Sequence, residues 1–180
     1  MTIKIKPTAT TATIEHNDST ILTVDSSGNI TPSNQMYPKV PSFSVKKTSN
    51  QSISSSTYTK CTWSSENWDI GSGFDITNSK FQPTVAGYYN LTVNVRWDGS
   101  TSYTRGIVKL FKNGSAYKRI AGHNEGTANQ HYNANGTCLI YMNGSTDYAE
   151  VYVYVTATTA VIGNSNVDEL IWWDGHLVSV

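Results

Sequence analysis

The chain reads as short apolar runs on a two-residue period. "GYYNLTVNVRW" puts Tyr89, Leu91, Val93, Val95 and Trp97 on one face and Asn90, Thr92, Asn94 and Arg96 on the other. "AEVYVYVTA" sets Val151, Val153 and Val155 against Tyr152 and Tyr154. That alternation predicts half-buried strands. "TCLIYM" and "GIVKLF" are apolar on both faces, which predicts strands covered on both sides. "ELIWWDGHLVSV" closes the chain as another strand and sends Trp172 and Trp173 to opposite faces. One is expected in the core, the other against a neighbouring strand, subunit or ligand. No stretch of useful length has an amphipathic helical period.

Turn chemistry separates these runs. Asn113-Gly114 and Asn143-Gly144 each lie between two apolar segments and predict tight hairpins with both central residues at positive φ. Asp98-Gly99 and Asn135-Gly136 predict further turns or bulges. Many strands with closely spaced turns make an all-β sandwich or barrel. The first forty residues differ: they are rich in Thr, carry Pro7, Pro32 and Pro38, and hold no Trp. "STILTVDSSGNIT" predicts two short strands around a Ser-Ser-Gly-Asn turn. This piece is too small and polar to bury a core. It is expected to pair with the rest of the chain, with copies of itself or with a larger assembly, or else to be a flexible tail. The expected organisation is an N-terminal attachment or oligomerisation segment, 1–40, and a head, 41–180.

Composition sets the chemistry of the surface. The chain of 180 residues has 13 basic and 13 acidic side chains, zero net charge and only 14% charged residues, against about a quarter in typical domains. Hydroxyl, amide and Tyr side chains therefore make the polar surface. No basic stripe marks a nucleic-acid partner. No apolar run reaches the roughly 18 residues of a membrane helix, and "MTIKIKPTATTATIEHN" has no apolar core of a signal peptide. Folding in cytoplasm, with Cys61 and Cys138 reduced, is expected. Both share strand parity with core residues, Cys61 with Trp63 and Cys138 with Ile140 and Met142.

The most specific pattern is "WSSENWDIGSGFDITNSKFQPTVAGYYNLTV". Trp63, Asp69, Phe74, Phe81 and Gly87 follow at intervening gaps of five, four, six and five residues, and Tyr89, Leu91 and Val93 alternate after them. This resembles the signature of the complement-q globular head, whose fold is shared with the tumour-necrosis-factor superfamily. The closing "WWDGHLVSV" resembles that family's last strand, with Gly175 at its glycine. Trp63, Leu91 and Val93 depart from the aromatics usual there but keep apolar residues at inward positions. The resemblance implies an antiparallel jelly-roll β-sandwich of two five-stranded sheets, assembled as a homotrimer. It makes Trp63, Asp69, Phe74, Phe81, Gly87, Tyr89, Leu91 and Gly175 structural, and frees Tyr88 to meet a neighbouring subunit. The N-terminal piece and the low charge are similar to tail-fibre and other appendage proteins of tailed phages. That implies a virion location, with residues 1–40 holding other virion proteins and the head touching a host-surface glycan or protein. A capsid head fibre or decoration, and a free carbohydrate- or protein-binding module, are the alternatives.

No catalytic residue, cofactor or metal site is expected. Asp168 and Glu169 are sequence neighbours that point apart, no Gly-x-Ser-x-Gly elbow exists, and the four His lack metal-ligand spacing. His123 and His131 flank a loop with Glu125 that reads as a polar loop before it reads as a metal or proton-sensing cluster. Glycan contact needs aromatics beside amides and hydroxyls. The segments 98–103 and 121–133 supply Tyr103, His123, Asn124, His131 and Tyr132 as candidate ligand-binding residues.

Overall fold

A computed structural model of the chain describes residues 3–7, 11–16, 19–32, 40–98, 105–124, 131–157, 160–163 and 170–180. The chain divides into two compact units, Met1–Pro38 and Lys39–Val180.

The first unit is an antiparallel meander of β1 (Ile3–Pro7), β2 (Thr11–His16), β3 (Ser19–Asp25) and β4 (Ile30–Pro32), paired in that order. The strands expected on either side of the Ser-Ser-Gly-Asn turn are β3 and β4, and two more precede them. Asp25 builds the turn. Its carboxylate accepts the amide N–H groups of Ser27 (2.8 Å) and Asn29 (2.9 Å) and the Asn29 side-chain amide (2.8 Å), while Gly28 takes φ +81°. Residues 12–14 and 22–24 are only half-buried, as in a single layer without a second sheet to cover it.

The second unit opens with six short strands: β5 (Ser42–Lys46), β6 (Gln51–Ile53), β7 (Thr59–Lys60), β8 (Ser65–Ile70), β9 (Phe74–Asp75) and β10 (Lys80–Phe81). Longer ones follow: β11 (Ala86–Asp98), β12 (Arg105–Lys112), β13 (Ser115–Asn124), β14 (His131–Asn143), β15 (Ala149–Thr156), β16 (Ala160–Ile162) and β17 (Trp172–Ser179). One sheet runs β8-β5-β17-β11-β14, with β16 and β6 continuing beside the far end of β11. The other runs β13-β12-β15, after which β7 and β10-β9 both pair β15. All pairs are antiparallel, and neighbours such as β5 and β17 are far apart in sequence. This is the jelly roll expected, widened by short strands at its margins.

The alternating pattern explains the core. Tyr89, Leu91, Val93, Val95 and Trp97 of β11 are buried and face Val151, Val153 and Val155 of β15 and Val108 and Leu110 of β12. Each such side chain contributes about 1.5–3 kcal/mol by leaving water. At one end Trp173 meets Phe43 and Phe74 edge-on at 5.1 and 5.5 Å between ring centroids, and Phe43 packs on Phe81 at 4.4 Å. Trp172 is half-buried on the opposite face of β17. Cys61 and Cys138 are free and buried, and burial pushes the Cys61 thiol up to about 12.

The signature residues all serve this sandwich. Asp69 accepts the amide N–H groups of Gly73 (3.1 Å) and Phe74 (2.9 Å) and so fixes the turn into β9. Trp63, Phe74, Phe81, Tyr89 and Leu91 are core. A Cβ at Gly175 would strike the Phe43 ring and Leu91.

Three local expectations need correction. Asn113-Gly114 forms the tight turn expected, at φ +53° and +75°, but Asn143-Gly144 does not. Only Gly144 has positive φ there. Asn143 Oδ1 instead accepts the amide N–H groups of Ser145, Thr146 and Asp147, which organises a longer loop. Asn135-Gly136 is no turn either: it lies in the β11–β14 ladder opposite Asn94 and Val93. Glycine is needed at 136 because a Cβ would enter the Ile120 carbonyl. Last, "TCLIYM" is not covered on both sides. Cys138, Ile140 and Met142 are core, but Leu139 is 50% and Tyr141 47% exposed.

Candidate functional site

That uncovered side of β14 belongs to a larger surface. Strand parity sends Tyr88, Asn90, Thr92 and Asn94 of β11 and Thr137, Leu139 and Tyr141 of β14 outward from the sandwich. Trp68 and Ile70 of β8 project from the same side, across Ser44 and Ser42 of β5. Two rows cross the sheet. One runs Trp68, Ser44, Asp174, Thr92, Thr137; the next runs Ile70, Ser42, His176, Asn90, Leu139. Tyr88 and Tyr141 face each other beyond them, edge to face at 5.4 Å.

Most of the large apolar side chains that the second unit exposes lie on this one sheet: Trp68, Ile70, Tyr88, Leu139, Tyr141 and Val178. Between them the surface is polar and internally bonded. Thr92 and Thr137 hydroxyls are 2.9 Å apart, Thr137 donates to Asn90 Oδ1 at 2.8 Å, and Asn67 Nδ2 donates to Ser44 Oγ at 3.0 Å. Asp174 lies near the centre. Its Oδ1 is buried and has no hydrogen-bond partner among the described residues. Burial raises its pKa above the ordinary carboxylate value, against the opposing effect of a Ser44 hydrogen bond. The surface thus has an apolar margin and hydrogen-bonded hydroxyl and amide groups, over a buried carboxylate oxygen. It is suited to being covered by protein.

The candidate ligand-binding residues are only partly within view. Tyr103 and Glu125 lie outside the described residues, as do Asp168 and Glu169. The backbone pairs His123 with Gly106, Asn124 with Arg105 and His131 with Asp98; the side chains of His123, Asn124 and His131 are outside the description. Tyr132 stacks on Trp97 at 5.5 Å and packs against the core. Its ring also lies over Gly106, so its visible role is structural. Among the described residues no group of three His, Cys, Asp or Glu is placed to hold a metal ion, and no helix is long and apolar enough to cross a membrane. Sequence reasoning missed Trp68, Ile70 and Asp174. The alternation of Trp68 and Ile70 around Asp69 in "NWDIG" is the signal that could have found the first two.

No known sequence family matches the chain, and no curated protein matches it. Solved structures do match. Murine APRIL at pH 5.0 superposes with TM-score 0.57 and 12% identity, over 77% of this chain and 99% of that one. The globular domain of zebrafish complement 1qA gives 0.54 and 14%, over 77% and 97%. The Eiger TNF from S. frugiperda gives 0.56 and 10%, over 78% and 93%. The chain therefore has the jelly-roll fold of the tumour-necrosis-factor and complement-q domains; at these identities the likeness is one of fold.

Proposed function

We propose that the chain is a non-enzymatic structural protein of a tailed-phage virion. It is a homotrimeric appendage of tail-fibre type whose jelly-roll head contacts the host surface, with residues 1–40 joining it to other virion proteins. The observation that carries the self-association is the uncovered sheet face. β14 is patterned to be covered on both sides, yet Leu139 and Tyr141 stand half in water. Covering the exposed half of each apolar side chain there contributes on the order of 1 kcal/mol, and a copy of the same chain is the partner always at hand. Threefold closure gives every copy an identical environment, and the resemblance to complement-q heads brings that symmetry with it. The virion setting is supported by the low charge, the Thr- and Asn-rich surface and the small N-terminal β unit. Several trimers on one particle would raise avidity by ~10²–10⁴ without a strong single site.

Gold-labelled antibody against residues 41–180, applied to phage particles assembled with this chain, tests the setting. Label at the tail supports the fibre, label on the capsid moves the same head to a decoration role, and label on neither discards the virion reading. Purified protein at saturation should also block adsorption of the particles to host cells. Failure to block would reduce the head to a structural part.

A further inference from the structure

The opposite sheet presents a different surface. On β15 the outward residues are Glu150, Tyr152 and Tyr154; on β12 they are Arg105, Ile107, Lys109 and Phe111. Tyr58, just before β7, joins them. Phe111 stacks on Tyr152 at 3.9 Å, and Tyr58 lies 5.1 Å from Tyr154 and 6.2 Å from Phe111. Cations cover the rings: Lys109 Nζ is 4.5 Å from the Tyr58 centroid and the Arg105 guanidinium 5.7 Å from that of Tyr154. Ile107 sits outside the core cluster yet is only 2% exposed, between its cross-strand partners Tyr154 and Gly122.

One row across this sheet runs Lys60, Tyr152, Lys109, Arg119. Lys60 is held by Glu150 at 2.5 Å. Lys109 and Arg119 are direct cross-strand partners of like charge, an arrangement that costs stability. Among the described residues neither they nor Arg105 form an ion pair. Arg119 is also set in place: its guanidinium occupies the space that a Cβ at residue 122 would need, and residue 122 is Gly. Among the described residues, three cations without an ion pair thus lie on the same sheet face as a platform of four rings, in a chain of zero net charge.

We propose that this face binds an anionic polysaccharide. The four rings are half-buried and offer only their uncovered edges to sugar C–H groups, the Tyr hydroxyls reach sugar hydroxyls, and Lys109, Arg119 and Arg105 meet carboxylate or sulfate groups. A nucleic acid fits less well, because three cations do not track a backbone charged at every nucleotide. The proposal deepens the host-contact role above and rests on it, while using the sheet that self-association leaves free.

The test titrates the full chain onto immobilised polygalacturonate and dextran sulfate, with neutral dextran and a poly-dT oligonucleotide in parallel. Expected are binding to one or both charged glycans, none to dextran, and weakening with added salt. The relative response to carboxylated and sulfated chains identifies the preferred group. The double variant Lys109→Gln, Arg119→Gln should lose about tenfold in affinity, with its circular dichroism and its mass in solution unchanged. Equal binding by the double variant overturns the proposal, as do tighter binding of the oligonucleotide and failure to bind either charged glycan. If the head blocks particle adsorption while neither charged glycan binds, this inference falls and the host-contact role stands.

Discussion

Gly87 shows how a single residue fixes the head. It sits at φ +152° where β11 meets the end of β17, and a Cβ would enter the Ser179 carbonyl and the Leu177 side chain. Gly87→Val should therefore cost about 1–3 kcal/mol in urea unfolding; an unchanged midpoint would contradict the packing described. Asp174 makes a pH-dependent case. Its raised pKa means that the folded chain holds the proton more tightly than the unfolded chain. The stability it contributes is fully present below the ordinary carboxylate value of 3.8 and is lost as pH rises through the raised value. Acidification from neutral pH toward that window should therefore stabilise the native protein relative to Asp174→Asn. Parallel stability curves for the two proteins would contradict it. Gly87 was legible in the sequence because its spacing to Trp63, Asp69, Phe74 and Phe81 is itself the pattern. Asp174 was not, since the burial that perturbs it comes from β5 and β11, strands remote in sequence.

At the scale of elements, strand existence was readable and strand environment was not. The period of two marks β11 and β15 without ambiguity, because burial on one side only writes itself into the sequence. β12 and β14 are both apolar on both faces and read alike. In the fold Ile107 of β12 is sealed by its own chain, while Leu139 and Tyr141 of β14 stand open. Nothing local distinguishes the two, since the difference lies in the cross-strand neighbours that flank each. Turn signals misled where a side chain could act instead of the backbone, as Asn143 does. Leu139→Lys with Tyr141→Lys should leave the circular dichroism of the head unchanged and shift the protein toward monomer by light scattering, because charge would then face charge across the interface. Loss of fold in a monomeric double variant would show that these side chains support the sandwich itself.

For the whole molecule, two faces of one sandwich divide the work. The β14-β11-β17-β5-β8 side, polar with an apolar margin, is the one proposed to associate with copies of the chain; the β13-β12-β15 side, cationic and aromatic, is the one proposed to meet the ligand. Charge composition alone hid this division, because zero net charge does not say on which face each charge lies. In the proposed trimer the uncovered sheet is the interface between copies. Sedimentation or light scattering of the purified full chain at micromolar concentration tests it most directly. The expected particle has three times the 19.8 kDa chain mass, reduced by the Leu139 and Tyr141 substitutions. A native protein that stays at 19.8 kDa under those conditions would contradict it.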